Sequence, residues 1–181
     1  MSGTQKLLGE LLLERGVITK PQLEQAMQFA KENHLRLASS LFKLNLVSEL
    51  DLAVCLSHQQ GVPAVVLSRS RIKIANFKFV PFEILKKHLA IPLKIIDNSL
   101  LMGMVNPLIQ TTVDEIAFVS GKQIMPFIVV QSSLVQALNE IPKISKTSRY
   151  YCGKDWNDDE SSADPEGTLA LVEIQHSIFP D

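Results

Sequence analysis

The side chains able to do chemistry are spread thinly along 181 residues and rarely fall at a working spacing. Asp114 and Glu115 form an adjacent carboxylate pair. On a helix such neighbours point about 100° apart, so they cannot address one substrate atom as acid and base, and they predict a solvated face. Ser39 and Ser40 have no base at a sensible spacing. Cys55 sits inside a helical apolar pattern and reads as core, whereas Cys152 lies in a polar stretch. Neither cysteine pairs with His34, His58, His88 or His176 at a metal-ligand spacing. The sequence contains no GxxxxGK[ST] phosphate loop and no GxSxG, HExxH or CxxC motif. It therefore predicts a non-catalytic protein with no resident cofactor, no metal and no ATP-hydrolysing motor.

Composition narrows the class further. Hydrophobic residues make up 46%, enough for a real core, and the net charge is −1, which points neither to nucleic acid nor to an anionic membrane surface. The charge is uneven. From Ile144 onward there are three Lys/Arg against eight Asp/Glu, leaving 15 against 11 before it. Most of that basic excess follows Gly61, at Arg69, Arg71, Lys73, Lys78, Lys86, Lys87 and Lys94, and is expected to be solvated. Acidic residues interrupt the N-terminus where a signal peptide needs an apolar core, and no apolar run reaches the roughly 18 residues of a membrane span. With two cysteines expected to stay reduced, these features predict a cytoplasmic protein.

The elements that would carry any site begin with a duplication. Leu8, Leu11 and Leu12 recur at helical spacing, and Gly16 ends that run. Val17-Ile18 connects to a second helix, capped by Thr19 with Pro21 and Gln22 in its first turn. Moved by 29 residues, Leu8 falls on Leu37, Leu12 on Leu41, Gly16 on Asn45, Thr19 on Ser48 and Leu23 on Leu52. Gly and Asn are the residues that best tolerate a left-handed backbone, so the exchange keeps the turn. A repeated helix–turn–helix unit packed into a small bundle is predicted over residues 4–60. Leu12, Leu23, Leu41 and Leu52 are its expected core.

Residues 61–142 mix strands and helices punctuated by proline. Strands are expected at Val65–Leu67, Leu93–Ile96, Leu100–Val105 and Ile124–Val130, with helices over Pro81–His88, Gln110–Val119 and Ser132–Glu140. The fold class is therefore α+β: a helical bundle followed by a small α/β subdomain. Residues 143–181 are acidic and rich in Ser, Asn and Pro, and are expected to be a disordered tail, with the apolar LALVEIQHSIF near its end. Paired short helices also raise a DNA-binding regulator, but Glu49–Gln60 carries Glu49 and Asp51 and no Lys or Arg, so it offers nothing to phosphates.

LLGELLLERGVITKPQLEQAMQFA (7–30), five residues, and RLASSLFKLNLVSELDLAVCLSHQ (36–59) together resemble the tandem motif of the MshEN family. These are N-terminal domains of the ATPases that power type II secretion and type IV pili. AIPLKII, the stretch from Leu100 to Val129 and the closing helix resemble the subdomain that follows, so the likeness spans about residues 5–141. The resemblance implies docking on a cytoplasmic protein of a secretion, pilus or signalling machine, and through it peripheral association with a membrane platform. It also implies recognition of cyclic di-GMP. Arg36 and Gln59 would contact base or phosphate, the backbone at Gly16 and Asn45 would assist, and Leu8, Leu12, Leu37 and Leu41 would pack on the rest. A doubly anionic, two-fold ligand suits a duplicated unit with capped helix N-termini.

The motif is degenerate here. Leu7 stands at the first copy's Arg position and Ala30 at its Gln position; in the second copy Ala38 and Asn45 replace two glycines. Lys6, one residue out of register, offers only a point charge. The second copy is therefore expected to carry most of any binding, and the binding to be weak. The resemblance leaves two settings open: a free-standing adaptor, or the N-terminal fragment of a full secretion ATPase.

Overall fold

The computed structural model describes residues 7–144, 148–156 and 167–172. Four helices come first: α1 (Leu8–Glu14), α2 (Lys20–Glu32), α3 (Leu37–Lys43) and α4 (Glu49–Gln60). α1 and α3 have the same length and begin 29 residues apart; α2 and α4 also begin 29 residues apart, with 13 and 12 residues. The turns repeat too. Gly16 and Asn45 both hold a positive φ, 64° and 54°. Each donates its N–H three residues back, to Leu13 and Phe42, and the next residue reaches Leu12 or Leu41. A left-handed residue is what lets each seven-residue helix stop and the chain turn into the next one.

The helix starts differ between the copies. The Glu10 carboxylate accepts the Leu7 N–H at 2.9 Å and the Gln22 side chain accepts the Thr19 N–H at 2.8 Å, both three residues back. Ser48 Oγ instead accepts the Asp51 N–H. Leu11, Leu12, Leu41, Leu52, Ala53 and Cys55 fill the helical core with almost no exposure. Leu23 is only half-buried, against the expectation of equivalent burial: α2 packs chiefly on α3, with Leu23 reaching Gly9 of α1, while α4 is sandwiched between α1 and the sheet.

That sheet has the order β3-β4-β5-β1-β8. β1 (Ala64–Val65), β3 (Ala90–Ile96), β4 (Ser99–Met104) and β5 (Gln123–Ile128) fall close to the strands expected from the sequence, and β8 is Leu171–Val172. β3 and β4 form a hairpin; β4, β5 and β1 run parallel, and β1 pairs with β8 antiparallel. α5 (Phe82–His88), α6 (Gln110–Ser120) and α7 (Gln131–Ile144) complete this α+β part, with α6 as the crossover from β4 to β5. Ile91, Leu93, Leu100, Met102, Met104, Leu134 and Ala137 form its core. Ala64, Val66, Ile128 and Val130 belong instead to the core of the helical unit, so the sheet edge and the repeat share one apolar interior.

A second, three-stranded antiparallel sheet has the order β6-β2-β7, with β2 at Arg71–Lys73, β6 at Tyr150–Cys152 and β7 at Gly167–Thr168. This corrects the expectation of disorder for residues 148–156 and 167–172, and β8 falls within the apolar LALVEIQHSIF. α7 continues through Pro142 to Ile144, and three strands of the C-terminal stretch pair with β2 or β1. Composition misses them because each is only two or three residues long and takes its stability from its partners. Gly153 shows how close the fit is: a Cβ there would lie 2.1 Å from the Leu67 carbonyl oxygen. The remaining positions of the expected tail, 145–147, 157–166 and 173–181, lie outside the described residues.

Candidate functional site

Arg36 ends the connection between α2 and α3, immediately before the first residue of α3. Its side chain is exposed and Nη1 donates to Asn106 Oδ1 at 3.0 Å. Asn106 belongs to the loop between β4 and α6, seventy positions away, so one hydrogen bond links the repeat to the sheet. The equivalent residue of the first copy, Leu7, is 66% exposed and has no polar group to offer.

At the other end of α3, Asn45 and Ser48 line a groove of about 350 Å³ together with Phe42, Val47, Lys154 and Asp155. Lys154 lies over the Phe42 ring at 5.2 Å, and the Asp155 N–H donates to the Ser68 carbonyl at 2.8 Å. Glu49 forms the floor. It is 5% exposed, and its two carboxylate oxygens accept the Leu67 and Ser68 N–H groups at 3.0 and 3.1 Å. Those amides open the 3-10 turn Leu67–Arg69. A carboxylate in the first turn of α4 thus caps the start of this 3-10 turn through two amides, which is how a buried carboxylate is kept satisfied.

The eight residues singled out from the sequence do not converge on one surface. Leu12 and Leu41 have no exposed area and Leu8 has 8%, so they hold the repeat together rather than face a ligand. Leu37 and Gln59 are half-buried, and Gly16 and Asn45 are exposed at equivalent turns. Arg36 and Asn45 therefore occupy opposite ends of α3. Asn106, Lys154 and Glu49 carry no local signal, because each acts through a partner at least 18 residues away.

Other ionisable groups are structural. Burial pushes the Cys55 thiol up to about 11 and the Tyr151 phenol up to about 12. Glu115 binds Lys87 at 2.8 Å and His88 Nε2 at 2.8 Å, and Thr112 Oγ1 lies 3.3 Å from His88 Nδ1. The hydrogen bond from Lys87 holds the Glu115 carboxyl below its ordinary value. Asp114 bonds instead to Gln110, so the adjacent pair divides its partners and does not act as a couple. Among the described residues no cluster of His, Cys, Asp or Glu could hold a metal ion, and no helix is long and apolar enough to cross a membrane.

A family model described as the MshEN domain matches residues 60–148. The chain contains an MshEN domain. This is the N-terminal domain of PilB- and GspE-type ATPases. The chain is 31% identical over 147 residues to the type IV pilus assembly ATPase PilB of Myxococcus xanthus, a match covering 81% of this chain and 24% of that ATPase. It is 28% identical over 135 residues to PilB of Thermus thermophilus, covering 74% of this chain and 15% of the relative. The chain thus spans a quarter or less of the curated relatives it matches. A solved structure of MshE with cdg aligns at a TM-score of 0.53 and 26% identity, over 75% of this chain and 99% of the other. That share exceeds everything from residue 60 onward, so the likeness reaches from the MshEN match into the duplicated helices.

Proposed function

We propose that this MshEN domain is a non-catalytic docking and regulatory module that reads cyclic di-GMP through the second copy of its repeat. The observation that carries the reading is the repeat itself, seen together with the likeness to MshE, which was solved with this dinucleotide. Arg36 supplies the charge-assisted contact and Gln59 the amide, while the first copy contributes apolar surface only. A ligand at Arg36 must displace or share the Asn106 carbonyl, so binding is coupled to the loop between β4 and α6. That loop leads into Leu108 and Ile109, both exposed apolar residues, and offers a route from ligand to a protein partner in a pilus or secretion machine.

The test is calorimetric titration with cyclic di-GMP. The wild type should bind at micromolar affinity or weaker, and Arg36→Ala should abolish it. Submicromolar binding that ignores Arg36→Ala would show that the site lies elsewhere.

A second reading concerns setting rather than site. The identity to a PilB ATPase supports the chain being the N-terminal part of such a motor, in which the same domain would report ligand state to the ATPase. An ATPase coding region continuing in the same reading frame would establish it.

A further inference from the structure

The basic run after Gly61 plays no part in the reading above, yet the small sheet organises two of its members. Ile72 is fully buried, so its neighbours Arg71 and Lys73 share the outer face of β2. The register pairs Ile72 with Tyr151 on the inner face, and Lys73 with Tyr150 on the outer one. The Arg71 guanidinium lies 3.9 Å from the centre of the Tyr150 ring, a cation–π contact that holds the ring on this face. One residue before Tyr150, the Arg149 carbonyl accepts the Ile74 N–H at 2.9 Å, which pins the Arg149 backbone beside Lys73.

Beside them lies an open cavity of about 390 Å³, lined by Lys73, Ile74, Ala75, Ser148, Arg149 and Tyr150. Its size is that of a small-molecule site. Two of the six lining residues are cations, two carry hydroxyls, and none is a carboxylate. Ile74, Ala75 and the Tyr150 ring provide the apolar wall. The groove beside Asn45 has the opposite balance, with Glu49 and Asp155 against Lys154, and does not suit an anion.

We infer that this cavity binds a phosphate monoester of nucleotide size, its phosphate held by Arg149, Lys73 and Ser148 and its organic part laid against Tyr150 and Ile74. A guanidinium can grip a phosphate through two parallel hydrogen bonds, with the lysine ammonium adding a point charge. Lys73, Ile74, Ala75 and Ser148 lie within the matched MshEN residues and Arg149 and Tyr150 beyond them, so the site joins the domain to the segment that follows it.

Calorimetry on the full chain with adenosine monophosphate as probe tests it, with ribose 5-phosphate and adenosine as controls. Adenosine monophosphate should bind, ribose 5-phosphate more weakly, and adenosine not measurably. Arg149→Ala and Lys73→Ala should each weaken the nucleotide at least tenfold while keeping the wild-type melting temperature, and Arg36→Ala should leave it unchanged. No heat at millimolar nucleotide, equal binding of adenosine, or indifference to both cavity variants would overturn the assignment. So would binding confined to an oligonucleotide, which would mark an extended nucleic-acid surface instead.

Discussion

Leu7 and Arg36 hold the same backbone conformation, φ −74° and ψ 152°, each immediately before the first residue of a seven-residue helix. The duplication therefore preserves the platform from which a side chain would reach a ligand, and changes only what stands on it. One copy presents a guanidinium and the other an isobutyl group.

The repeat core should behave equivalently in both copies where burial is equivalent. Leu12→Ala and Leu41→Ala, each removing a side chain with no exposure, should cost about 2–5 kcal/mol in chemical denaturation. Leu23→Ala, at a half-buried position, should cost clearly less than Leu52→Ala at its equivalent. Equal losses at Leu23 and Leu52 would contradict the packing of α2 described above.

Glu49 should matter more than a first-turn acid normally does. Glu49→Ala removes the acceptor for two buried amides, and each unsatisfied donor costs about 1–3 kcal/mol. Denaturation of this variant should show a loss of about 3 kcal/mol, with Glu49→Gln retaining part of it. A change within about 0.5 kcal/mol, ordinary for a surface substitution, would rule out the double cap.

The two thiols should differ sharply in reactivity. Cys55 has no exposure and a thiol pushed up to about 11, whereas Cys152 is exposed. A disulfide reagent at pH 8 should modify one thiol in the native protein and both in denaturant. Two native-state equivalents would show that the helical core opens readily.

Glu115 gives a pH signature. Its folded-state carboxyl lies below the ordinary 4.5, first because of the Lys87 hydrogen bond. The stabilisation is thus fully present above that ordinary value and fades as pH falls through the lower, folded-state one. Melting temperature followed from pH 6 down to pH 3 should fall less steeply in Lys87→Ala than in the wild type. Parallel curves would show that this exposed pair contributes nothing.

Much of this architecture was legible in the sequence, for identifiable reasons. Gly16 and Asn45 mark the turns because few residues tolerate positive φ; Thr19 with Gln22 marks one helix start and the Ser48 hydroxyl the other. Asp97 to Ser99 signals the β3–β4 hairpin by turn chemistry. β2 was not legible, since Arg-Ile-Lys has a single apolar residue and becomes a strand only between partners some 80 to 95 positions away. The candidate site was legible only in part. Residue type singles out Arg36 but not its pairing with Asn106, and the aliphatic motif positions Leu12 and Leu41 lie in the core. Periodicity reports which face is apolar and does not say whether a neighbouring element or a ligand covers it.

The most direct test of the central claim restores the missing half of the motif. Leu7→Arg with Ala30→Gln places the motif's Arg and Gln side chains on the first copy, from a backbone already set at the second copy's angles. A charge-assisted contact contributes roughly 1.5–3 kcal/mol, so cyclic di-GMP affinity measured by calorimetry should tighten by about two decades over the wild type. Arg36→Ala added to the restored protein should reverse most of that gain. Unchanged affinity in the restored protein, beside wild-type binding that does not depend on Arg36, would contradict the account.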